Sequence, residues 1–454
     1  MKSRQTPSNL HSKPHSKPHS SLQKLPLSLS LIFTISFALP TPASAATLAE
    51  IYQIAAEKDS VIQASQAQYE AALQAVPLAR SANLPQVAVA GNIAENDLNN
   101  DAEGSFQSNS VGASVTQNVF DLTVTRSIKR AKISVAQAES TLKEAKQNLM
   151  FRTAQAYFNV LTAREAFRAA AQSREAIAQQ TEQAERRFDV GLSAITDVKE
   201  AQAQLDLAVA AEVVAENQVA LAREALRVII NQDVPPLAGL KDNATLSAPV
   251  PASVEDWINV AEQNSPTLDV ARRDFELAEA DIKIERAGRL PTVALTGGYS
   301  DVTSGNFVPD TESGQITLDL EYALFTGGRV SSLIRQAKAQ ARQASFNFET
   351  VRRAVVQDTR DAYLTVLADI SQTNALQQAL TSTEVAKDAT QAGFDAGTRT
   401  AVEVLVSLQD TFNAFADYAA ARHQYVISSL QLRLAAGILA EKHIDSISAS
   451  LKDQ

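Results

Sequence analysis

Few side chains in this sequence are placed to do chemistry. Beyond the N-terminal segment there are two histidines, His423 and His443, with no carboxylate and nucleophile at useful spacing, so no hydrolytic triad is in view. Gly327-Gly328-Arg329 is not followed by the Lys-Ser/Thr of a phosphate-cradling loop and reads as a strand-to-helix junction. The repeat HSKPHSKPH (11–19) offers weak metal ligands, but it lies in a basic leader. There is no Cys, which excludes disulfides and thiolate sites. No catalytic residue, cofactor or metal site is expected. What remains are polar residues at two helix breaks. FDVGLSAITDV (188–198) carries Thr196 and Asp197, and FDAGTRTAVEV (394–404) carries Phe394, Arg399 and Glu403. Of these, Asp197, Arg399 and Glu403 can form ion pairs. Taken alone, Asp197 and Glu403 also simply suit helix N-termini, and Arg399 a solvated turn.

The elements that hold these breaks come in duplicate. An offset of 206 maps Leu84-Pro85 onto Leu290-Pro291, AYFNVL (156–161) onto AYLTVL (362–367), and Phe188, Asp189 and Gly191 onto Phe394, Asp395 and Gly397. The expected division is a leader 1–45, a first repeat 46–231, a Pro-rich linker 232–252, a second repeat 253–440 and a C-terminal tail 441–454.

Each repeat has one order. A short helix opens it, with N-cap spacing at Thr47/Glu50 and Ser253/Asp256. A second helix starts near Ser60 or at Ser265-Pro266; Pro77 should kink the first copy, while its counterpart Lys283 leaves the second straight. Two strands follow, alternating apolar and polar residues from Gln86 and Ser110, and again from Thr292 and Gln315 through Leu324. Polar loops are expected at 96–108 and 300–314. Then comes a helix of roughly 65 residues, about 100 Å long, over 123–187 and 328–393. Its start carries a heptad seam, Ile128, Ala131, Val135, Ala138, Leu142, Ala145 and Leu149, repeated from Ile334 to Val355. Gly191 and Gly397 end these helices as C-cap residues, and return helices run over 194–230 and 400–439. The earlier helix and the return helix, stacked end to end, match the long one.

The leader has a basic start, an apolar core from Leu25 to Leu39 and the cleavage-type triplet Ala43-Ser44-Ala45. Its removal leaves 36 basic against 51 acidic residues, a net charge of −15, which argues against nucleic acid as a partner. No later apolar run is long enough for a spanning helix. The strands, however, have greasy faces suited to lipid. Strands span a bilayer only as closed barrels, and four cannot close one. Two copies or three are therefore required, and twelve helical rods fit a hollow cylinder better than eight.

The tandem, the strand–helix order and the tips VGLSAITDVKEAQAQLD (190–206) and GTRTAVEVL (397–405) resemble the TolC-type outer-membrane channels over nearly all of the mature chain. The resemblance implies a mainly α fold with a transmembrane β part. Tandem long helical hairpins would form a trimeric α-barrel, and four strands per chain would contribute to a 12-stranded β-barrel. It implies a homotrimer in outer-membrane lipid of a Gram-negative bacterium, most of the chain in the periplasm. A periplasmic adaptor (membrane fusion protein) and an inner-membrane pump of RND, ABC or MFS type would be its partners. Its task would be efflux of small toxic molecules or type I secretion of unfolded proteins.

In that family polar links between neighbouring hairpins hold the tip closed. Thr196 and Asp197 match the first tip's positions, Arg399 the basic partner, and Glu403 an acid at the constriction. Phe394 stands where the family often has Tyr, and Val406 where a second acid occurs, which argues against a double carboxylate ring. The alternative class is a structural coiled coil, an adhesin-like stalk or periplasm-spanning brace. Such a stalk needs neither lipid-facing strands nor duplicated tips.

Overall fold

The computed structural model describes residues 45–97, 105–241, 246–305 and 309–452. The leader up to residue 44, with its histidine repeat, and the centres of both polar strand loops lie outside the described residues.

The first repeat opens with α1 (Leu48–Lys58). Thr47 and Glu50 close a reciprocal capping box, each side chain accepting from the other's backbone N–H. Next come α2 (Ser60–Leu73) and α3 (Ala75–Ser81), broken at Gln74. Pro77 has no N–H to offer the Leu73 carbonyl, which accounts for the break. The helix starts at Ser60 as expected, and its cap is Asp59, whose carboxylate accepts from Ile62 N–H. Strands β1 (Gln86–Asp97) and β2 (Ser105–Phe120) form a hairpin. Helix α4 (Leu122–Asp189) runs 68 residues, about 100 Å, and α5 (Ile195–Ile230) returns.

Past a short β3 (Gly239–Leu240), the second repeat gives α6 (Val254–Asn264), an unbroken α7 (Pro266–Ala287), β4 (Thr292–Ser304), β5 (Thr311–Glu321), α8 (Arg329–Asp395) and α9 (Ala401–Ala435). Ser265 caps α7 through Leu268 N–H, with Pro266 at the first turn. Ser253 precedes α6, but its side chain makes no cap bond.

Several boundaries differ from the sequence expectation. The strands reach further into the polar loops, because ladder bonds hold Asp97 to Ser105 and Val302 to Thr311 despite polar side chains. Tyr322 and Leu324 fall past the end of β5. Helix α9 stops four residues early, at Ala435, because Gly437 (φ +70°) turns the chain. The expected C-terminal tail is folded. It forms α10 (Glu441–Ser448) and β6 (Leu451–Lys452), and β6 pairs antiparallel with β3.

The helices form a wall of four columns. Helix α4 packs on α5, on α2 and α3, and on both α7 and α9, while α8 packs on α7 and α9. Helix α7 runs antiparallel along α4, as the polar pairs Arg130–Asp281, Gln137–Asp274, Ser140–Asp269 and Glu144–Thr267 record. The start of α7 abuts the end of α9. Gln147 of α4 bridges this join by donating to the carbonyls of Gly437 (2.8 Å) and Leu439 (3.1 Å). Of the heptad positions, Ala131, Leu142, Leu149, Ile334, Ala337, Ala341 and Val355 are buried.

One face of the wall carries a second layer of α1, α10 and the β3–β6 pair. Its core gathers Leu48 and Ile51 with Tyr157, Phe158 and Leu161 of α4 and Leu430 of α9. The Tyr157 hydroxyl donates to the carbonyls of Ala46 and Ala238, and its counterpart Tyr363 donates to Ala252. Burial pushes the Tyr157 phenol above its ordinary pKa. On α8 the same face is covered by α6 through Trp257.

Candidate functional site at the helical tips

Both tips are built by one turn chemistry. At the first, Gly191 (φ +76°) donates to the Phe188 carbonyl and Leu192 to that of Arg187. At the second, Gly397 (φ +77°) donates to Phe394 and Thr398 to Gly393. This double bond pattern satisfies the last carbonyls of a helix, and it requires a left-handed residue that glycine adopts at little cost.

The tips then diverge. In the first, Thr196 is exposed, and the Asp197 carboxylate accepts from Ala194 N–H (3.3 Å). Ser193 donates to the Ala184 carbonyl, tying the turn back to α4. In the second, Thr400 and Glu403 form a full capping box. The Arg399 guanidinium reaches Glu403 at 2.5 Å, one helical turn away. Backbone donation from Thr400, then the Arg399 bond, hold the Glu403 carboxyl down at about 2. Arg399 therefore spends its ion pair within its own tip in the single chain. The structure does not bring it to Thr196 or Asp197.

Phe394 is buried, and the Arg187 guanidinium lies 4.2 Å above its ring centroid. This cation–π contact joins the end of α4 to the end of α8. Gln180 donates to Gln391 a little further up (3.1 Å). Below them Ile177, Ala184, Ala201 and Leu405 make a small core shared by both hairpins. Arg187 escaped the sequence reading. A signal was available in the broken repeat: position 187 is Arg, and its counterpart 393 is Gly. That glycine also makes room for Arg399, since a Cβ on Gly393 would sit 2.7 Å from the Arg399 Cγ.

At the other end of the columns the four long strands form one antiparallel sheet in the order β1-β2-β4-β5. Val87 faces Val115, Val89 faces Ala113, Ala113 faces Tyr299, and Leu295 faces Leu318. These residues share a face, and Val87, Val89, Ile316, Leu318 and Leu320 on it are exposed. The opposite face pairs Ser114 with Gly298 and Ser300 with Ser313. Among the described residues no helix is long and apolar enough to cross a membrane.

A wall of long paired helices continuous with an amphipathic sheet defines a helical-barrel channel with a partial β part. Residues 51–232 and 257–438 match the family described as "Outer membrane efflux protein". The chain is 36% identical over 429 residues to outer membrane protein TolC of Vibrio cholerae, covering 92% of this chain and 97% of that protein. It is 25% identical to the alkaline protease secretion protein AprF of Pseudomonas aeruginosa, over 88% and 86% of the two chains. The crystal structure of the Campylobacter jejuni CmeC outer membrane channel superposes with a TM-score of 0.76 over 96% of this chain and 98% of that one, at 15% identity. The chain belongs to the outer membrane efflux protein family. It resides in the outer membrane and serves as an exit duct for efflux and type I secretion.

Proposed function

We propose that three copies assemble into one pore. Their sheets supply twelve strands and their columns a twelve-fold helical tube. The observation that carries this is the four-stranded sheet, with an apolar face bare to solvent and with β1 and β5 each paired on one side alone. Backbone groups on such edges cannot remain unpaired in lipid, and only closure of the ring pairs them. The apolar faces then meet outer-membrane lipid, and the tube crosses the periplasm.

The tips close the tube. Thr196, Asp197, Phe394, Arg399 and Glu403 form the gate, and Gly191 and Gly397 shape its turns. An exposed ion pair contributes roughly 0–1 kcal/mol, so three per trimer hold the tip shut yet yield to a partner. That partner is a periplasmic adaptor, acting with an inner-membrane pump of RND, ABC or MFS type. The pump selects the cargo, small toxic molecules or unfolded proteins, and the duct serves both. A stalk without a pore has no use for the bare apolar strands.

Reconstitution tests the proposal. The mature protein should extract with outer-membrane detergents and open ion-conducting pores in planar bilayers. A water-soluble monomer that leaves liposomes sealed would overturn it.

A further inference from the structure

The helical wall has two unlike faces, and the bare one holds a cavity of about 450 Å³ between α4, α8 and α9. Asn159 lies two residues, about 200° of helix, from Tyr157 in the packed layer. Gln424 is likewise two residues from Val426, which is also in that layer. The polar lining, Asn159 and Gln424, therefore faces away from the second layer, while Ile427 at the cavity floor also belongs to that layer's core. A duct must stay clear, so the layered face is the outside and this cavity faces the bore. That step rests on the pore reading above.

One wall of the cavity is Asp369. It is only 8% exposed, and its Oδ2 has no hydrogen-bond partner. Buried carboxylates are ordinarily paired, and an unpaired one is costly. Asp417 lines the same space from α9, and no Lys or Arg does. The nearby His423 is bound to Thr162 (2.9 Å), and burial, then the Arg422 charge, hold its imidazole down to about 4. It brings no positive charge at neutral pH. Among the described residues the carboxylates thus have no counter-ion.

The rest of the lining decides what kind of cation fits. Leu376 and Ile427 give an apolar bed, and Asn159, Gln372 and Gln424 give neutral amides. No group of three metal-type ligands occurs among the described residues, and a small dehydrated ion needs six or more oxygens. The volume is that of a small-molecule site. We infer that this cavity is a binding site for organic ammonium cations passing through the duct, with Asp369 as counter-ion and Asp417 as second carboxylate.

The test uses the purified trimer in detergent and tetrapropylammonium as the probe, followed by calorimetry or equilibrium dialysis. Saturable binding, one per chain, should weaken tenfold or more in Asp369→Asn and about threefold in Asp417→Asn. It should be unchanged in Glu57→Gln, an exposed carboxylate on the layered face. Asp369→Leu, which fills the buried position with apolar volume, should also lose binding while keeping the heat-sensitive trimer. Equal binding by wild type and Asp369→Asn overturns the inference. So does Mg²⁺ binding alone that depends on Asp369 while tetrapropylammonium fails to bind. A failure of the pore reading shows itself separately, as wild-type protein that conducts nothing in a planar bilayer.

Discussion

Arg399 and Glu403 lie one turn apart at the start of α9, and their contact is short but exposed. In one chain it stabilises the turn. In the proposed trimer the same guanidinium turns to a neighbour's Thr196 or Asp197. Arg399→Ser should therefore raise single-channel conductance in planar bilayers, and an unchanged conductance would remove Arg399 from the gate. Deeper in the wall, His423 gives a pH signature. Its folded pKa, about 4, lies below the ordinary 6.5 because burial disfavours the imidazolium. The neutral ring's contribution is thus complete above pH 6.5 and is lost progressively as pH falls toward 4. At about 1.4 kcal/mol per pH unit this amounts to about 3 kcal/mol per chain. Thermal melts should show this acid sensitivity in wild type and a flatter profile in His423→Gln. At this scale the turn glycines Gly191 and Gly397 could be read from their spacing. Arg187 over Phe394 could not, because the partners lie 207 positions apart and only folding brings them together.

Elements are where local chemistry and tertiary packing compete. The long helices, the Pro77 break and the Ser265-Pro266 start were legible, since each follows from propensity or a missing donor within a few residues. The strand ends, the stop of α9 and the folded C-terminal segment were not. They depend on ladder partners and on packing against α1 and β3, which no local pattern encodes. The join between α9 and α7 is the most demanding of these places. Gly437 has φ +70°, and a Cβ there would lie 2.5 Å from the Asn264 carbonyl oxygen. Gly437→Ala therefore combines left-handed strain with a backbone clash, and a loss of at least about 2 kcal/mol is expected. Differential scanning calorimetry should register it as a lowered transition. Gly397→Ala, with the same strain but open space around it, should cost about 1 kcal/mol.

For the whole molecule the governing fact is an incomplete surface. The chain folds a continuous wall and sheet, yet leaves Val89, Ile93, Ile316 and Leu318 facing outward and two strand edges without mates. The repeat and the alternation made this legible early, because they give four strands with one apolar face, too few to close a barrel. Unheated samples on denaturing gels should migrate as trimers and collapse to a single-chain band on boiling. Migration as a single chain without heating would contradict the closed ring.

The central seam of the sheet joins β2 to β4, with Thr116 opposite Thr296. Those strands are separated in the chain by the entire α4–α5 hairpin and by α6 and α7. A ribosome working at about 5–20 residues per second needs roughly 10–35 seconds to supply the second strand after the first. During synthesis the β1–β2 hairpin therefore waits for its β4 partner, with its apolar side chains uncovered until the second repeat emerges. The repeat that gives the chain its internal symmetry thus also makes completion of its sheet a late event.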